Sequence, residues 1–230
     1  MRYIIVLFSI TSLLFLHGCS KFDDLEKQMD ASVDMSALAV FNMVPNSTAM
    51  EISLGESKIN KVNERLAFGD YLSYRTQFSG KKTIRIVSGK DTYEGLVDLL
   101  PQRFYSIFVN KEGGKLTVVQ SEDDMILPAK GNAKIRVAHM SSDAASFTFG
   151  EGGNQLLNNI KYKDVTGFKE IKSSERQTLL VVKPTTAVGN TRSLEQVFIP
   201  KDQGIYTLLI KGYVNASNET EEISMQLVKH

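Results

Sequence analysis

The chain has 230 residues, with 27 Lys and Arg against 26 Asp and Glu, 42% hydrophobic residues, one cysteine and no tryptophan. Balanced charge without a basic cluster excludes a phosphate-binding face, so nucleic acid is not an expected partner, and a lone cysteine excludes an internal disulfide. The length suffices for one large or two modest domains, each with its own core.

The first element is an address. Arg2 precedes an apolar run from Tyr3 to Phe15, and Leu16-His17-Gly18-Cys19 follows it. The run is shorter than the about 20 residues that cross a bilayer, and the pattern predicts a secretory signal peptide over residues 1–18. Leu16-His17-Gly18-Cys19 resembles the lipobox of bacterial prolipoproteins. That resemblance implies a diacylglycerol on the Cys19 sulfur, cleavage before it and acylation of the new amine. Two or three acyl chains on one cysteine hold where a single chain is marginal, so the implied partner is a membrane, reached by a lipid anchor. Cleavage removes only Arg2 among the charged residues and leaves the two signs equal.

Lys21, Asp23 and Asp24, within Ser20-Lys21-Phe22-Asp23-Asp24-Leu25-Glu26, resemble the acidic export signal that sends some Gram-negative lipoproteins to the outer face of the outer membrane. The localisation this implies is the cell envelope, lipid-anchored in the outer membrane and exposed at the surface. An ordinary solvated linker reads equally well from the same residues. Residues 19–36 as a whole are polar and weakly periodic, which predicts a short stalk.

Beyond the stalk the chain repeats itself. Val40-Phe41-Asn42-Met43-Val44-Pro45-Asn46-Ser47 lies over Val137-Ala138-His139-Met140-Ser141-Ser142-Asp143-Ala144. Phe68-Gly69-Asp70-Tyr71 then matches Tyr162-Lys163-Asp164-Val165, Thr83-Ile84-Arg85-Ile86-Val87 matches Thr178-Leu179-Leu180-Val181-Val182, and Phe104 to Val109 matches Ile205 to Ile210. Landmarks kept in order predict two copies of one module, the first over residues 37–127 and the second over 133–230. Pro128-Ala129-Lys130-Gly131-Asn132 between them reads as a hinge, with Met125 and Leu127 placed to dock the modules together.

Each copy reads as strands. Tyr105, Ile107 and Val109 alternate with Ser106 and Asn110, and Ile135 and Val137 with Lys134 and Arg136; a period of two predicts one buried and one solvated face. Turn signals at Gly80, Gly89-Lys90-Asp91, Gly113-Gly114, Gly152-Gly153, Gly189-Asn190 and Asp202-Gln203-Gly204 separate the runs. The expected fold is all-β: two tandem immunoglobulin-like antiparallel β-sandwich domains, with about seven strands in each, after the signal peptide and stalk.

Ala133-Lys134-Ile135-Arg136-Val137-Ala138-His139-Met140-Ser141-Ser142-Asp143-Ala144-Ala145 resembles the opening of domain-of-unknown-function family 4397, a basic-hydrophobic strand followed by His-x-Ser-Pro-Asp-Ala-Pro. Gly204-Ile205-Tyr206-Thr207-Leu208-Leu209-Ile210-Lys211-Gly212 resembles its closing strand. The resemblance spans residues 133 to about 214 and is weaker in copy one, where Asn42 replaces the histidine and Pro45 keeps a proline that Ser142 replaces in copy two. It implies a secreted or lipid-anchored bacterial protein and supplies no activity.

The residues offer little chemistry. His17 leaves with the signal peptide and His230 is the last residue, so His139 is the histidine to weigh, expected to hydrogen-bond its own loop and retained as a candidate ligand contact. No HxH, HExxH or CxxC spacing points to a metal, and no cofactor motif is present. Ser141, His139 and Asp143 supply the residue types of a catalytic triad without a nucleophile elbow or an oxyanion loop. Glu122-Asp123-Asp124 lacks the spacing of a calcium loop and reads as a solvated turn. Tyr71 and Tyr74 are the candidate aromatic platforms. The expected function is non-enzymatic: a lipid-anchored envelope protein presenting two sandwiches to a surface protein or a glycan, the alternatives being a glycan-binding accessory lipoprotein or a structural, adhesive subunit.

Overall fold

A computed structural model describes residues 34–185 and 192–230. The signal peptide, Cys19 and the Lys21, Asp23 and Asp24 segment lie outside the described residues. Among those described, no helix is long and apolar enough to cross a membrane.

Residues 35–123 form eight strands: β1 (Met35–Asn42), β2 (Glu51–Leu54), β3 (Ser57–Lys58), β4 (Tyr71–Phe78), β5 (Gly80–Ser88), β6 (Asp91–Leu99), β7 (Phe104–Glu112) and β8 (Lys115–Asp123). They make two four-stranded sheets, ordered β4-β1-β7-β8 and β3-β2-β5-β6. Residues 132–229 repeat the plan with β9 (Asn132–His139), β10 (Phe147–Glu151), β11 (Asn154–Ile160), β12 (Lys169–Lys172), β13 (Thr178–Pro184), β14 (Leu194–Phe198), β15 (Ile205–Lys211) and β16 (Ser224–Lys229). Their sheets are ordered β12-β9-β15-β16 and β11-β10-β13-β14. The β-sandwich class is as the alternation predicts, with eight strands in each half rather than about seven. β1 starts at Met35, inside the stretch read as stalk.

Local sequence accounts for the hairpins. Glu112 pairs with Lys115 across Gly113-Gly114, and Glu151 with Asn154 across Gly152-Gly153. Both glycines of each pair have positive φ, the backbone that a two-residue turn matched to strand twist requires. One pairing in each half departs from the antiparallel expectation: β1 runs parallel to β7, and β9 parallel to β15. Each such pair is joined through the whole opposite sheet, a crossover long enough to bring a strand back in the same direction.

Three cores follow. Leu38, Val40, Ile52, Ile84, Ile86 and Ile107 fill the first sandwich, and Ile135, Val137, Phe147, Phe149, Val182 and Leu208 fill the second. The third joins the halves: Ala39, Phe41, Met43 and Phe108 pack against Ala138, Met140, Leu209 and Val228. Alternate residues of β1 therefore face different cores, and β1, β7, β9 and β15 are buried on both faces. The result is a stack of four sheets.

In the inner sheets this overturns the expectation of one solvated face per strand, which outer strands such as β5 and β6 keep. Ser106, Asn110, Lys134 and Arg136, read as the wet face, are at most 4% exposed, because that face of each inner sheet is covered by the other half. The segment 128–132, read as a hinge, is tied to the second half: Gln203 Nε2 donates to the Pro128 carbonyl at 3.0 Å and the Gly131 amide to Asp202 Oδ1 at 2.7 Å. Leu127 is 61% exposed, and Met125 offers its sulfur to Tyr74, a residue of its own half.

Candidate functional site

Register builds an aromatic stack at one end of the first half. Phe41 on β1 pairs with Tyr71 on β4 and with Phe108 on β7, so three side chains share one face. Their rings lie nearly parallel, Tyr71 to Phe41 at 5.4 Å and Phe41 to Phe108 at 4.9 Å between centroids. Phe41 and Phe108 are fully buried and Tyr71 is 41% exposed, which leaves Tyr71 as the outermost ring of a supported stack.

Beside it lies a groove of about 410 Å³ lined by Glu64, Arg65, Asp70, Tyr71, Arg75 and Gln226 among others. The β3–β4 connection forms one wall, held by Asn60: its Oδ1 accepts the Ile52 amide, and its Nδ2 donates to the Met50 and Glu64 carbonyls. Glu64 pairs with Arg75. The Lys61 amide, with the Arg75 guanidinium, holds the Glu64 carboxyl below its usual range. Among the described residues Arg75 Nε–H has no acceptor. Gln226 comes from β16 of the second half, and its Nε2 donates to the Gly69 carbonyl at 3.0 Å. The groove thus lies where the halves meet, offering one aromatic ring and several planar polar groups.

Tyr74 is not part of that platform. It lies within the inter-half layer, edge-on to Phe104, and its hydroxyl donates to Asp123 Oδ2 at 2.6 Å. Burial, reinforced by the Asp123 carboxylate, pushes its pKa far above the ordinary tyrosine range.

Asp123 is the centre of a buried network that the sequence reading placed in a solvated turn. Arg136 Nη1 donates to Asp123 Oδ1 at 2.5 Å, Nη2 to Ser106 Oγ at 3.1 Å, and Nε to Thr207 Oγ1 at 2.9 Å. Ser106 Oγ donates to Asp123 Oδ2 at 2.5 Å, and the ring of Phe168 lies 4.8 Å from the guanidinium carbon. Nearly every polar atom is matched, which is what burial of an ion pair requires. The neighbouring carboxylates go elsewhere, Asp124 to Lys134 at 2.9 Å and Glu122 to Arg103 at 3.3 Å. Among the described residues no group of three or more His, Cys, Asp or Glu can hold a metal ion. A signal for this network existed in sequence: on the face carrying Lys134 and Arg136 the next positions are Ala138 and Met140, and on β1 both faces are apolar, which no solvated sheet needs.

His139 is fully buried. Its Nδ1 accepts the Ser141 amide at 3.3 Å, its Nε2 meets the Ala145 carbonyl at 3.2 Å, and its ring packs on Phe147. Burial lowers its pKa from 6.5 to about 4, keeping it neutral with the proton on Nε2. Asn42 makes the corresponding amide bond in the first half, its Oδ1 accepting from Val44 at 2.9 Å, while its Nδ2 reaches a different partner, the Leu66 carbonyl at 2.7 Å. Asp143 is turned away from His139 and accepts the Val214 and Asn215 amides at 2.8 and 2.9 Å. Ser141 Oγ is buried without a hydrogen-bond partner among the described residues. The three triad residue types do not assemble; Asp143 alone ties the loop after β9 to the chain that follows β15.

The duplication extends to single bonds. The Tyr105 hydroxyl accepts the Leu100 amide at 3.1 Å and the Tyr206 hydroxyl the Lys201 amide at 3.0 Å, the kind of tyrosine corner found in immunoglobulin-like sandwiches. The model of a domain of unknown function, DUF4397, matches residues 36–150, half of the chain. The chain belongs to the DUF4397 family. The match covers the whole first half and continues through β9 and the His139 to Asp143 loop into β10. The resemblance seen from sequence centred on residues 133–214, so its opening motif lies inside the DUF4397 match and its closing strand beyond it.

No curated protein matches the DUF4397 chain in sequence. Among solved structures, it is similar at 8% identity to a family 41 carbohydrate-binding module from streptococcal virulence factors, described for alpha-glucan recognition, with 83% of this chain and 96% of that one covered and a TM-score of 0.28. A family 26 carbohydrate-binding module from Eubacterium rectale, in complex with maltoheptaose, is similar at 7% identity, with 85% and 96% covered and a TM-score of 0.26. A fimbrial assembly protein from Parabacteroides distasonis is similar at 7% identity, with 85% and 94% covered and a TM-score of 0.24. These likenesses are too slight for any residue or ligand to be carried across.

Proposed function

We propose that this DUF4397 protein is a lipid-anchored, non-enzymatic protein of the cell envelope that binds a polyhydroxylated ligand, a surface glycan, in the groove beside Tyr71. The observation that carries this reading is the stack of Tyr71 on Phe41 and Phe108 next to Glu64, Asp70, Arg75 and Gln226. A sugar ring presents an apolar C–H face and a rim of hydroxyls. A fixed aromatic ring bordered by planar donors and acceptors matches both, and the buried rings beneath Tyr71 reduce the ordering cost of binding. The anchor at Cys19 and the export signal at Lys21, Asp23 and Asp24 belong to the same proposal and supply the location.

The test is glycan-array binding by the purified full chain and by Tyr71→Ala and Arg75→Ala. Binding to a defined glycan that drops at least about tenfold in both variants, as loss of one well-made contact implies, supports the reading. Binding unaffected by either substitution, or a parent chain that binds no glycan while retaining a cell-surface protein partner, overturns it in favour of assembly. Acylation is checked separately by mass spectrometry of the amino terminus.

A further inference from the structure

Exposed apolar side chains gather at the end of the first half opposite the Tyr71 groove. Phe78 is 66% exposed, Leu100 51%, Ile126 80% and Leu127 61%. Their setting is the start of β1. Met35 pairs with Phe78, the Gln102 amide donates to the Met35 carbonyl, and the Ser79 amide donates to the Asp34 carbonyl. Asp34, Phe78, Leu100 and Pro101 line one hollow of about 470 Å³. Arg103, Phe104, Met125 and Ile126 line a groove of about 550 Å³ on the β7–β8 side of the same end. An exposed cluster of this kind on a protein surface marks a contact, and Asp34, the first described residue, lies in its midst.

We infer that this end of the first half docks on the lipid bilayer that carries the Cys19 anchor, an inference that rests on the anchor reading given above. The segment between Cys19 and Asp34 spans about 50 Å at most when fully extended, so the tether holds this end near the membrane at high effective concentration. Phe78, Leu100, Ile126 and Leu127 then enter the interfacial region, where aromatic and aliphatic side chains are favoured. Lys81 is exposed at the same end, but Arg103 is paired with Glu122 at 3.3 Å and Asp34, Asp98 and Asp124 line the same hollows, so the contact rests on the apolar side chains. The orientation has a consequence for binding. β4 runs from Tyr71 to Phe78, so docking through Phe78 lifts the Tyr71 groove about 24 Å up the strand and turns it away from the lipid.

The chain contains no tryptophan, so a single one introduced at an exposed position is an unambiguous probe. Full-length Phe78→Trp, Ile126→Trp and Val62→Trp proteins are produced in a lipoprotein-processing host and checked by mass spectrometry for acylated Cys19. Each is then reconstituted in phosphatidylethanolamine and phosphatidylglycerol vesicles containing brominated lipid. Val62, 94% exposed, sits in the β3–β4 connection at the far end and is the control. Docking predicts a blue-shifted emission and loss of most of it to brominated lipid for Phe78→Trp and Ile126→Trp, with Val62→Trp unchanged. It also predicts that adding Leu100→Ser and Leu127→Ser to Phe78→Trp restores the emission. An acylated chain whose rim tryptophans stay unquenched overturns the docking while leaving the anchor reading intact, whether the end is bare or covered by a protein in cells. A chain without acyl groups overturns the anchor reading itself, and the docking with it.

Discussion

Arg136 and Asp123 meet at 2.5 Å with 1% and 0% of their side chains exposed, although their strands belong to different halves of the molecule. A buried pair of this kind contributes little over an apolar replacement of the same size, yet leaves an uncompensated charge when either partner is lost. It therefore acts as a register pin: the inner sheets can stack with the guanidinium opposite the carboxylate, and any slip strands both. Ser106, Thr207 and Tyr74 complete the shell from three further strands.

Asp123→Ala and Arg136→Ala should each lower unfolding free energy by about 3–5 kcal/mol. The double replacement Asp123→Leu with Arg136→Met should cost far less than the sum of the single changes, because no charge is left unpaired. Urea unfolding of all variants, analysed as a double-mutant cycle, checks this; simple additivity would show that the pair does not act as a unit.

Tyr74→Phe removes one donor from the Asp123 carboxylate and should cost about 1.5–3 kcal/mol, the range for a hydrogen bond to a charged group. Since burial and Asp123 oppose its ionisation, native Tyr74 should stay protonated while exposed tyrosines titrate. Ultraviolet difference absorbance up to about pH 11 should give the same titration curve for the parent and for Tyr74→Phe. A missing phenolate step in the variant would contradict the burial.

Two imidazoles couple folding to acid. His139 and His230 both have native pKa values lowered from 6.5 to about 4, in each case first by burial, with Arg136 adding to the effect at His230. Between those two values the unfolded chain takes up protons that the native chain refuses. The stability these residues contribute is complete above about pH 6.5 and falls as pH drops towards about 4, by at most about 1.4 kcal/mol per pH unit for each. His139→Asn, which installs the side chain found at Asn42, should flatten the pH dependence of the urea midpoint across that window. An unchanged slope would remove His139 from the account.

Gly212 closes β15 with φ of +88°, and a Cβ placed there would lie 2.4 Å from the Glu222 carbonyl oxygen and 2.5 Å from that of Glu221. Gly212→Ala should cost about 2–3 kcal/mol from backbone strain, with the clash adding to it. Gly167→Ala, at a position open to solvent, should leave the thermal midpoint nearly unchanged, and comparing the two midpoints tests the assignment.

The motif residues were legible as a pattern, but their task was not. His139, Ser141 and Asp143 stand close enough in sequence to suggest a catalytic set, yet Asp143 turns to amides more than seventy residues away at Val214 and Asn215. Tyr71 and Tyr74 looked alike as candidate platforms. Tyr71 opens the strand beside a groove, and Tyr74, three residues on, is drawn between the halves by Asp123.

The sequence by itself determined the β class, the duplication and the glycine hairpins, because these depend on a two-residue period, on repeated landmarks and on a turn backbone that only certain residues adopt. Only the tertiary structure decided what covers the polar face of each inner sheet. Lys134, Arg136 and Ser106 alternate with apolar neighbours just as residues on a wet surface do, since alternation records that two faces differ and not what each one meets. Here the second face meets another sheet, and partners supplied by other strands replace the water.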